Sequence, residues 1–527
     1  MEKKFTWLLS LFFIWIGTAQ AQLIYQPYSY QFYQKLNTEV YSPATNLHTS
    51  IKPFLIADSS PVRKRYDFLT LNNTDTRNRG WVVRKLFYQH LFEEKNKDYT
   101  FYADYFPDLQ LGREFVDGKN LYLNTRGYQI GGTIGANFFF YTSGYENQGA
   151  FPNYENNYIN QTGMVPGQAY NRAFTGTTDW SQVTALIGYS PLKSLNITLG
   201  EDKTFIGDGY RSVLLSDFAA AYPLLRITAD LGSKVRYMAM WAYLEDQNAP
   251  QFNAFTNNRR KWAAFHYIDW NVTNRISVGF FNALIAEEAD NQGKLHGFDV
   301  NYIDPLYFSS SLGPSGSVPD HTLIGFNGKY KVLNKTTIYG QFMVDQAAGN
   351  SAGTSNALQA GFRGADLFTV NRLNYLFEYN TAAPNTYSNQ NPIVNYTELG
   401  EALAHPYGNN FREWLGILNY SIGRFDFQGQ LNYAKFYGNN GNLNYVNGFI
   451  QFDNLNTPPG ATTNSQGMAA NLRYAEGTVA FLINPKYNLR LELGGLYREE
   501  KSTASDLKTT LITFGLRSTF RNLYHDF

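Results

Sequence analysis

The chain has 527 residues, 44 Lys and Arg against 43 Asp and Glu, a formal net charge of +1 and no cysteine. Without cysteine it cannot be a disulfide-stapled scaffold, a thiolate metal site or a lipoprotein attached through a leading Cys, and the balanced charge gives no sign of nucleic-acid binding. Forty Tyr and forty Phe raise the aromatic share to 17%, which suits the aromatic girdles of a membrane surface better than a soluble core of Leu and Val.

At the start, Glu2, Lys3 and Lys4 precede an apolar run from Phe5 to Ile16, and Ala19-Gln20-Ala21 follows. This pattern predicts a cleavable export signal over residues 1–21, because the run is shorter than the roughly 20 apolar residues a membrane-spanning helix needs. Residues 22–100 are expected to form an N-terminal periplasmic segment. Within it, Trp81 to Glu94 places Val82, Val83, Leu86, Phe87, His90 and Leu91 on one face of an amphipathic helix. That helix is expected at the periplasmic mouth of the next unit or inside it.

From residue 101 to 527 the dominant signal is alternation with period two, as a wall between hydrocarbon and a polar interior requires. Ile324, Phe326, Tyr330 and Val332 alternate with Gly325, Asn327, Lys329 and Lys331. Phe425, Phe427, Leu431 and Tyr433 alternate with Asp426, Gln428, Gln430 and Asn432. Leu489, Leu491, Leu493 and Tyr497 alternate with Arg490, Glu492 and Arg498. So many strands of this length favour a membrane barrel over a secreted sandwich or propeller.

Short turns are expected near Gly135, at 191–194, near Gly232, at 272–275, at 333–335, near Val370, at Gly423 and at 484–488. Long polar stretches at 147–179, 286–320, 380–410 and 438–467 are expected at the cell surface, with Phe298 to Ile303 inside one of them. About eight periplasmic turns with both termini periplasmic imply an all-β fold, a transmembrane antiparallel β-barrel of about 18 strands. Its first strand is expected between Ala103 and Tyr122, where Pro107 and several Gly blur the alternation. The last strand should turn Ile512, Phe514, Leu516 and Phe520 to lipid, leaving Phe527 as a short tail beyond the wall.

No chemistry of catalysis stands out. The seven histidines are scattered, no metal-ligand spacing occurs, and Gly207-Asp208-Gly209 lacks the Lys and helix of a phosphate loop and reads as a turn. Neither enzyme activity, metal nor cofactor is expected. Lumen-facing Lys329, Lys331, Arg490, Glu492 and Arg517 either pair across strands or line a solute path. Tyr145, Phe151, Tyr154, Tyr158, Trp180 and Tyr387 either stack on sugar rings or pack the loops and girdles.

Several phrases resemble one family. The run from Asp202 to Asp217, DKTFIGDGYRSVLLSD, ending near Tyr222-Pro223, is similar to the gliding-motility RemB group and its relatives among the Wzi-like capsule-assembly barrels. Asn124 to Gly127, Glu146 to Gln148, Phe151-Pro152, Thr386 to Ser388, Asn395-Tyr396 and Leu403 to Gly408 resemble it too. Phe218-Ala219 stands where relatives often have Asn-Ala.

The resemblance implies a Bacteroidota-type outer membrane and work on surface polysaccharide, adhesion or gliding rather than catalysis. Outer-membrane lipid, cell-surface polysaccharide and other envelope or motility proteins are the implied partners. Asp208, Arg211, Asp217, Tyr387 and His405 are the candidates for glycan contact or for an inward plug loop. Val213, Leu214 and Leu215 favour the plug, since an apolar patch folds inward rather than facing water. A substrate-selective porin is the alternative, and a secretion-system scaffold a third class.

Overall fold

The computed structural model describes residues 23–527 apart from 58–59, 173–176, 248, 250–257, 305–320, 348–354, 390, 439–444, 447–448, 451–467 and 504. The expected leader lies outside the described residues, as does most of the stretch 438–467.

Eighteen antiparallel strands follow one another around a closed barrel. They are β1 Tyr99–Glu114, β2 Asn120–Ile134, β3 Phe138–Ala150, β4 Thr178–Leu192, β5 Leu195–Asp202 and β6 Tyr222–Leu231. Then come β7 Val235–Asp246, β8 Arg259–Asn271, β9 Ile276–Glu287, β10 His321–Lys331, β11 Thr336–Ala347 and β12 Ser355–Gly364. The circuit ends with β13 Leu373–Ala382, β14 Phe411–Ile422, β15 Phe425–Gly438, β16 Met468–Asn484, β17 Leu489–Lys501 and β18 Asp506–Ser518. β18 closes on β1 from Leu511 opposite Glu114 to Leu516 opposite Leu109.

Alternation along the strands sorts the side chains. Leu111, Phe326, Phe427, Leu431, Leu493 and Phe514 are exposed on the outer face, whereas Asn327, Lys329, Lys331, Gln430, Glu492 and Arg517 are buried inside. A wall apolar outward and polar inward suits a bilayer around a filled lumen. No helix among the described residues is long and apolar enough to cross a membrane.

Several boundaries differ from expectation. The first strand runs from Tyr99 to Glu114, and Asn120 to Tyr122 already belong to β2. Pro107, which has no N–H to donate, lies just beyond the end of the β18 ladder at Leu109. The helix expected over 81–94 covers only Trp81–Phe87. His90 is held by Asp104 at 2.6 Å, and Phe92–Lys95 pairs with β1 below its contact with β18, where that edge would otherwise be open.

Leu489 is buried rather than lipid-facing, next to the register shift between β16 and β17. Phe520 is also buried, packed on Phe32, because the chain turns into the lumen after Ser518. The tail therefore ends inside the barrel, with Phe527 against Tyr154 and Tyr158, and not at the short-turn rim. Phe298 to Ile303 is no spanning strand. Its 3-10 turn, Val300–Ile303, lies on the outer wall, where Trp241 Nε1 donates to the Tyr302 carbonyl at 3.0 Å.

The lumen is filled by five segments, one of them 151–170, whose Tyr154, Tyr158, Met164 and Val165 are buried. Residues 23–57 enter at the short-turn end, with α1 Tyr30–Gln34 and α2 Asn37–Val40, and Ile51–Lys52 pairs with Phe205–Ile206. Residues 203–221 cross the middle. Residues 383–410 fold inward from the long-loop end, and the C-terminal tail rises beside them. A single apolar cluster joins Ile51, Val213, Leu214, Leu215, Tyr387, Ile393, Tyr396 and Leu403 to the inner wall. The stretch 380–410 and residues 151–170 of the stretch 147–179, both expected at the surface, are therefore largely interior. Ile393, Val394 and Tyr396 make the first an apolar wedge inside a polar-looking loop.

Candidate functional site

The segment 203–221 is the hub on which the other inserts close. Its approach to the wall depends on glycine. A Cβ on Gly209 would lie 2.1 Å from Glu378 Oε1, so only glycine lets that carboxylate accept from the backbone N–H of Tyr210 at 2.6 Å and of Arg211 at 3.2 Å. Gly207, at φ +146, sits against Gln341, whose side chain accepts from Val213 N–H at 2.9 Å and donates to the Ile206 carbonyl at 2.9 Å. The Gly207-Asp208-Gly209 phrase is thus a close-approach device as well as a turn.

Asp208 ties the N-terminal insert to the wall. It accepts from Thr49 and from the Tyr41 hydroxyl at 3.1 Å, and Lys329 Nζ stands 3.6 Å away. Burial pushes this carboxyl upward, but Lys329 and Lys52 outweigh it and hold the group at about 2. It stays charged and paired.

Arg211 ties the tail to the wall. Only 1% exposed, its Nη2 donates to Asp526 Oδ2 at 2.9 Å, to the Asp526 carbonyl at 2.7 Å and to Glu413 Oε1 at 3.3 Å. The guanidinium lies 4.9 Å from the Tyr210 ring centre. Asp217 secures the same tail, accepting from the Tyr524 hydroxyl at 2.7 Å and Asn522 Nδ2 at 2.6 Å.

The third tie is to the inward loop. Tyr387 donates its hydroxyl to the Val213 carbonyl at 2.7 Å and stacks on Tyr396, which donates to the Leu214 carbonyl at 2.8 Å. His405 Nε2 lies 2.8 Å from Glu413 Oε2, while its Nδ1 accepts from Tyr407 N–H at 3.2 Å. Nδ1 is therefore an acceptor, and Nε2 carries the proton given to Glu413. Glu413 joins Arg211 and His405.

A fourth group, Glu401, accepts from the Tyr158 hydroxyl at 3.1 Å and from the backbone N–H of Gly167 at 2.8 Å and Ala220 at 3.1 Å. Burial raises its carboxyl to about 7.

The structure thus gathers Asp208, Arg211, Asp217, Tyr387 and His405 into one buried interlock. The lumen-facing charges are engaged as well. Lys331 donates to the carbonyls of Ser42 and Thr45, both at 2.8 Å. Arg490 pairs with Glu492 at 2.7 Å, and Arg517 pairs with Asp108 and, at 3.1 Å, with Glu492. Tyr145, Tyr154, Tyr158, Trp180 and Tyr387 are buried and Phe151 is half-buried against Trp180, so these rings pack the interior instead of facing outward.

Glu413, Glu378, Glu401 and Asp526 were not anticipated. Glu413 was within reach, since it alternates inward with Phe411, Leu415 and Ile417, all buried. A charged inward residue on an apolar face needs a buried partner.

Three cavities stand out among the described residues; the smallest, about 60 Å³, lies beside Tyr25, Asp202 and Arg521, and two are larger. One of about 90 Å³ lies inside the β17, β18 and β1 wall beside Trp180, Tyr524, Glu476 and Glu492. The other, about 340 Å³, lies between the N-terminal insert and the short-turn ends of β4 to β6. No group of three or more His, Cys, Asp and Glu that could hold a metal occurs among the described residues.

No family model matches the chain, and no curated protein matches it. Among solved structures it is similar to Wzi, described as an Escherichia coli outer membrane protein involved in group 1 capsule assembly and a carbohydrate-binding β-barrel. That likeness has a TM-score of 0.53 and 12% identity over 94% of this chain and 100% of the other. Pseudomonas aeruginosa OprD is also similar at a TM-score of 0.40, with 8% identity over 79% of this chain and 94% of that one. OccK2 of the same organism, solved with glucuronate, has a TM-score of 0.40 and 9% identity over 79% and 98%. At 12% identity the likeness to Wzi, which spans nearly the whole chain, shows a shared closed-barrel fold.

Proposed function

We propose that this chain is an outer-membrane barrel of the RemB and Wzi-like type, which holds surface polysaccharide in capsule attachment or assembly, or serves gliding and adhesion, without catalysis. The long-loop rim then faces outside and the short-turn rim the periplasm. The observation that carries this reading is the interlock. Four chain segments meet around Arg211, Asp208 and Asp217 and, with 151–170, fill the lumen, an arrangement suited to a rigid surface platform. A solute path along Lys329, Lys331 and Arg490 would need those cations free, whereas each is engaged.

The Wzi likeness supports a barrel of this build, and the carbohydrate binding stated for that protein is the ligand class proposed for this one. A strain lacking the gene, scored for retained surface polysaccharide and for spreading, tests the proposal. Loss of either, restored by the intact gene, is expected. Wild-type retention and wild-type spreading together would refute it.

A further inference from the structure

The amphipathic helix before the barrel does not bury its apolar face. In this helix, α3 (Trp81–Phe87), Trp81 is 66% and Val82 64% exposed, and Val83 and Leu86 are exposed as well. The opposite side is fixed to the short-turn rim. Asn484 Nδ2 donates to the carbonyls of Lys85 at 3.0 Å and Gln89 at 2.9 Å, and the Arg424 guanidinium lies 5.8 Å from the Phe87 ring centre and 5.5 Å from that of Tyr88. The helix is anchored, yet its apolar stripe is open.

That stripe leads into the outer wall. Phe92, on the strand that follows, is 70% exposed and stands opposite Ala103 of β1. Ala103 shares a face with Phe101, Tyr105, Leu109 and Leu111, all exposed outward. The apolar surface of the barrel therefore continues through Phe92 toward Trp81, Val82 and Leu86. Around it lie Arg77, Arg79, Arg84 and Lys85, with Asp75 on Arg77 and Glu93 and Glu94 beyond. The excess at the helix itself is cationic.

We infer that α3 is an interfacial anchor, lying in the boundary between headgroups and acyl chains of the leaflet at the short-turn rim. Trp81, Val82, Val83 and Leu86 enter the acyl edge, and Arg79 and Arg84 meet lipid phosphate, while Lys85 is held by the His90 carbonyl at 3.0 Å and Arg77 by Asp75. Continuity with the lipid-facing wall selects a bilayer over a protein partner, and a short helix with apolar and basic sides is the kind that lies in such a boundary. The inference rests on the membrane reading of the barrel and adds a second contact to it. The anchor would fix the depth of the barrel and hold Phe92–Lys95 against the edge of β1.

Because the chain has no cysteine, Val82→Cys and Leu86→Cys each provide one site for a nitroxide. Leu111→Cys on the wall and Asn73→Cys on the exposed approach are the references. The full-length proteins are placed in phosphatidylethanolamine and phosphatidylglycerol vesicles, and collision rates are compared for oxygen and a water-soluble nickel chelate. The oxygen-to-nickel ratio at 82 and 86 is expected to exceed that at 73 several-fold and to approach that at 111. Equality with position 73 would overturn the inference. So would low collision with both reagents, which means a protein cover, and broadening between labels would identify that cover as a second copy. A watery signal at 111 as well would instead refute the membrane reading itself.

Discussion

Replacing Arg211 by Ala should release the interlock. The side chain is 1% exposed, and its partners Glu413 and Asp526 are 0% and 2% exposed. Truncation leaves two buried carboxylates without their cation. Breaking one partner out of a buried ion pair costs about 3–5 kcal/mol, and each 1.4 kcal/mol is roughly tenfold in an equilibrium, so the released fraction should rise at least on the order of 100-fold. A reporter is available in the hub itself. Val213 is fully buried, so Val213→Cys provides the only thiol in the chain, and its maleimide reaction rate follows the released fraction. Arg211→Ala should raise that rate about 100-fold or more. Arg211→Met combined with Glu413→Gln and Asp526→Asn removes all three charges together and should raise it far less. A rate for Arg211→Ala within about threefold of the parent, below 1 kcal/mol of change, would refute the claim that this triad holds the plug.

Other outcomes follow from the same contacts. Deleting residues 522–527 removes Tyr524, Asp526 and Phe527 but leaves β18, which ends at Ser518. The barrel should keep its heat-modifiable migration on gels while the plug becomes open to protease. Gly209→Ala places a Cβ 2.1 Å from Glu378 Oε1 and should cost about 1–3 kcal/mol in thermal unfolding.

Glu401, raised by burial to about 7, keeps its proton when the unfolded chain has lost it above about 4.3. The folded state then binds more protons between those values, so stability falls as pH rises through that window. A loss on the order of 3 kcal/mol from pH 4 to pH 8 is expected, and Glu401→Gln should flatten the profile. On the outer wall, Phe514→Arg, at a 56% exposed position, should cost about 2–4 kcal/mol if it meets the bilayer midplane. Folding into lipid vesicles measures it.

The wall was legible in the sequence because its signal is local. Phe425 to Tyr433 and Leu491 to Tyr497 state their faces within ten residues, and the turns between strands repeat at regular intervals. The interlock was not, because its pairs are distant. Arg211 and Asp526 are 315 positions apart, and Tyr158 and Glu401 are 243 apart. The loop 383–410 has the Asn, Pro and Ser of a solvent loop, and Ile393, Val394, Tyr396 and Leu403 mark it as a wedge.

Phe520 shows the opposite error. Period-two reading carries it onto the lipid face, but the chain has already turned inward and packs it on Phe32. Trp81 to Leu91 read as one helical face, yet the register with β1 claims Phe92–Lys95 and Asp104 claims His90, so the helix stops at Phe87. Local periodicity shows where an element can form, and a neighbouring edge decides where it ends.

Conductance of the unaltered protein in a planar bilayer tests the central claim most directly. A filled lumen held at Asp208, Arg211 and Asp217 predicts no steady open current, whereas a stable conducting state in the parent chain would contradict it.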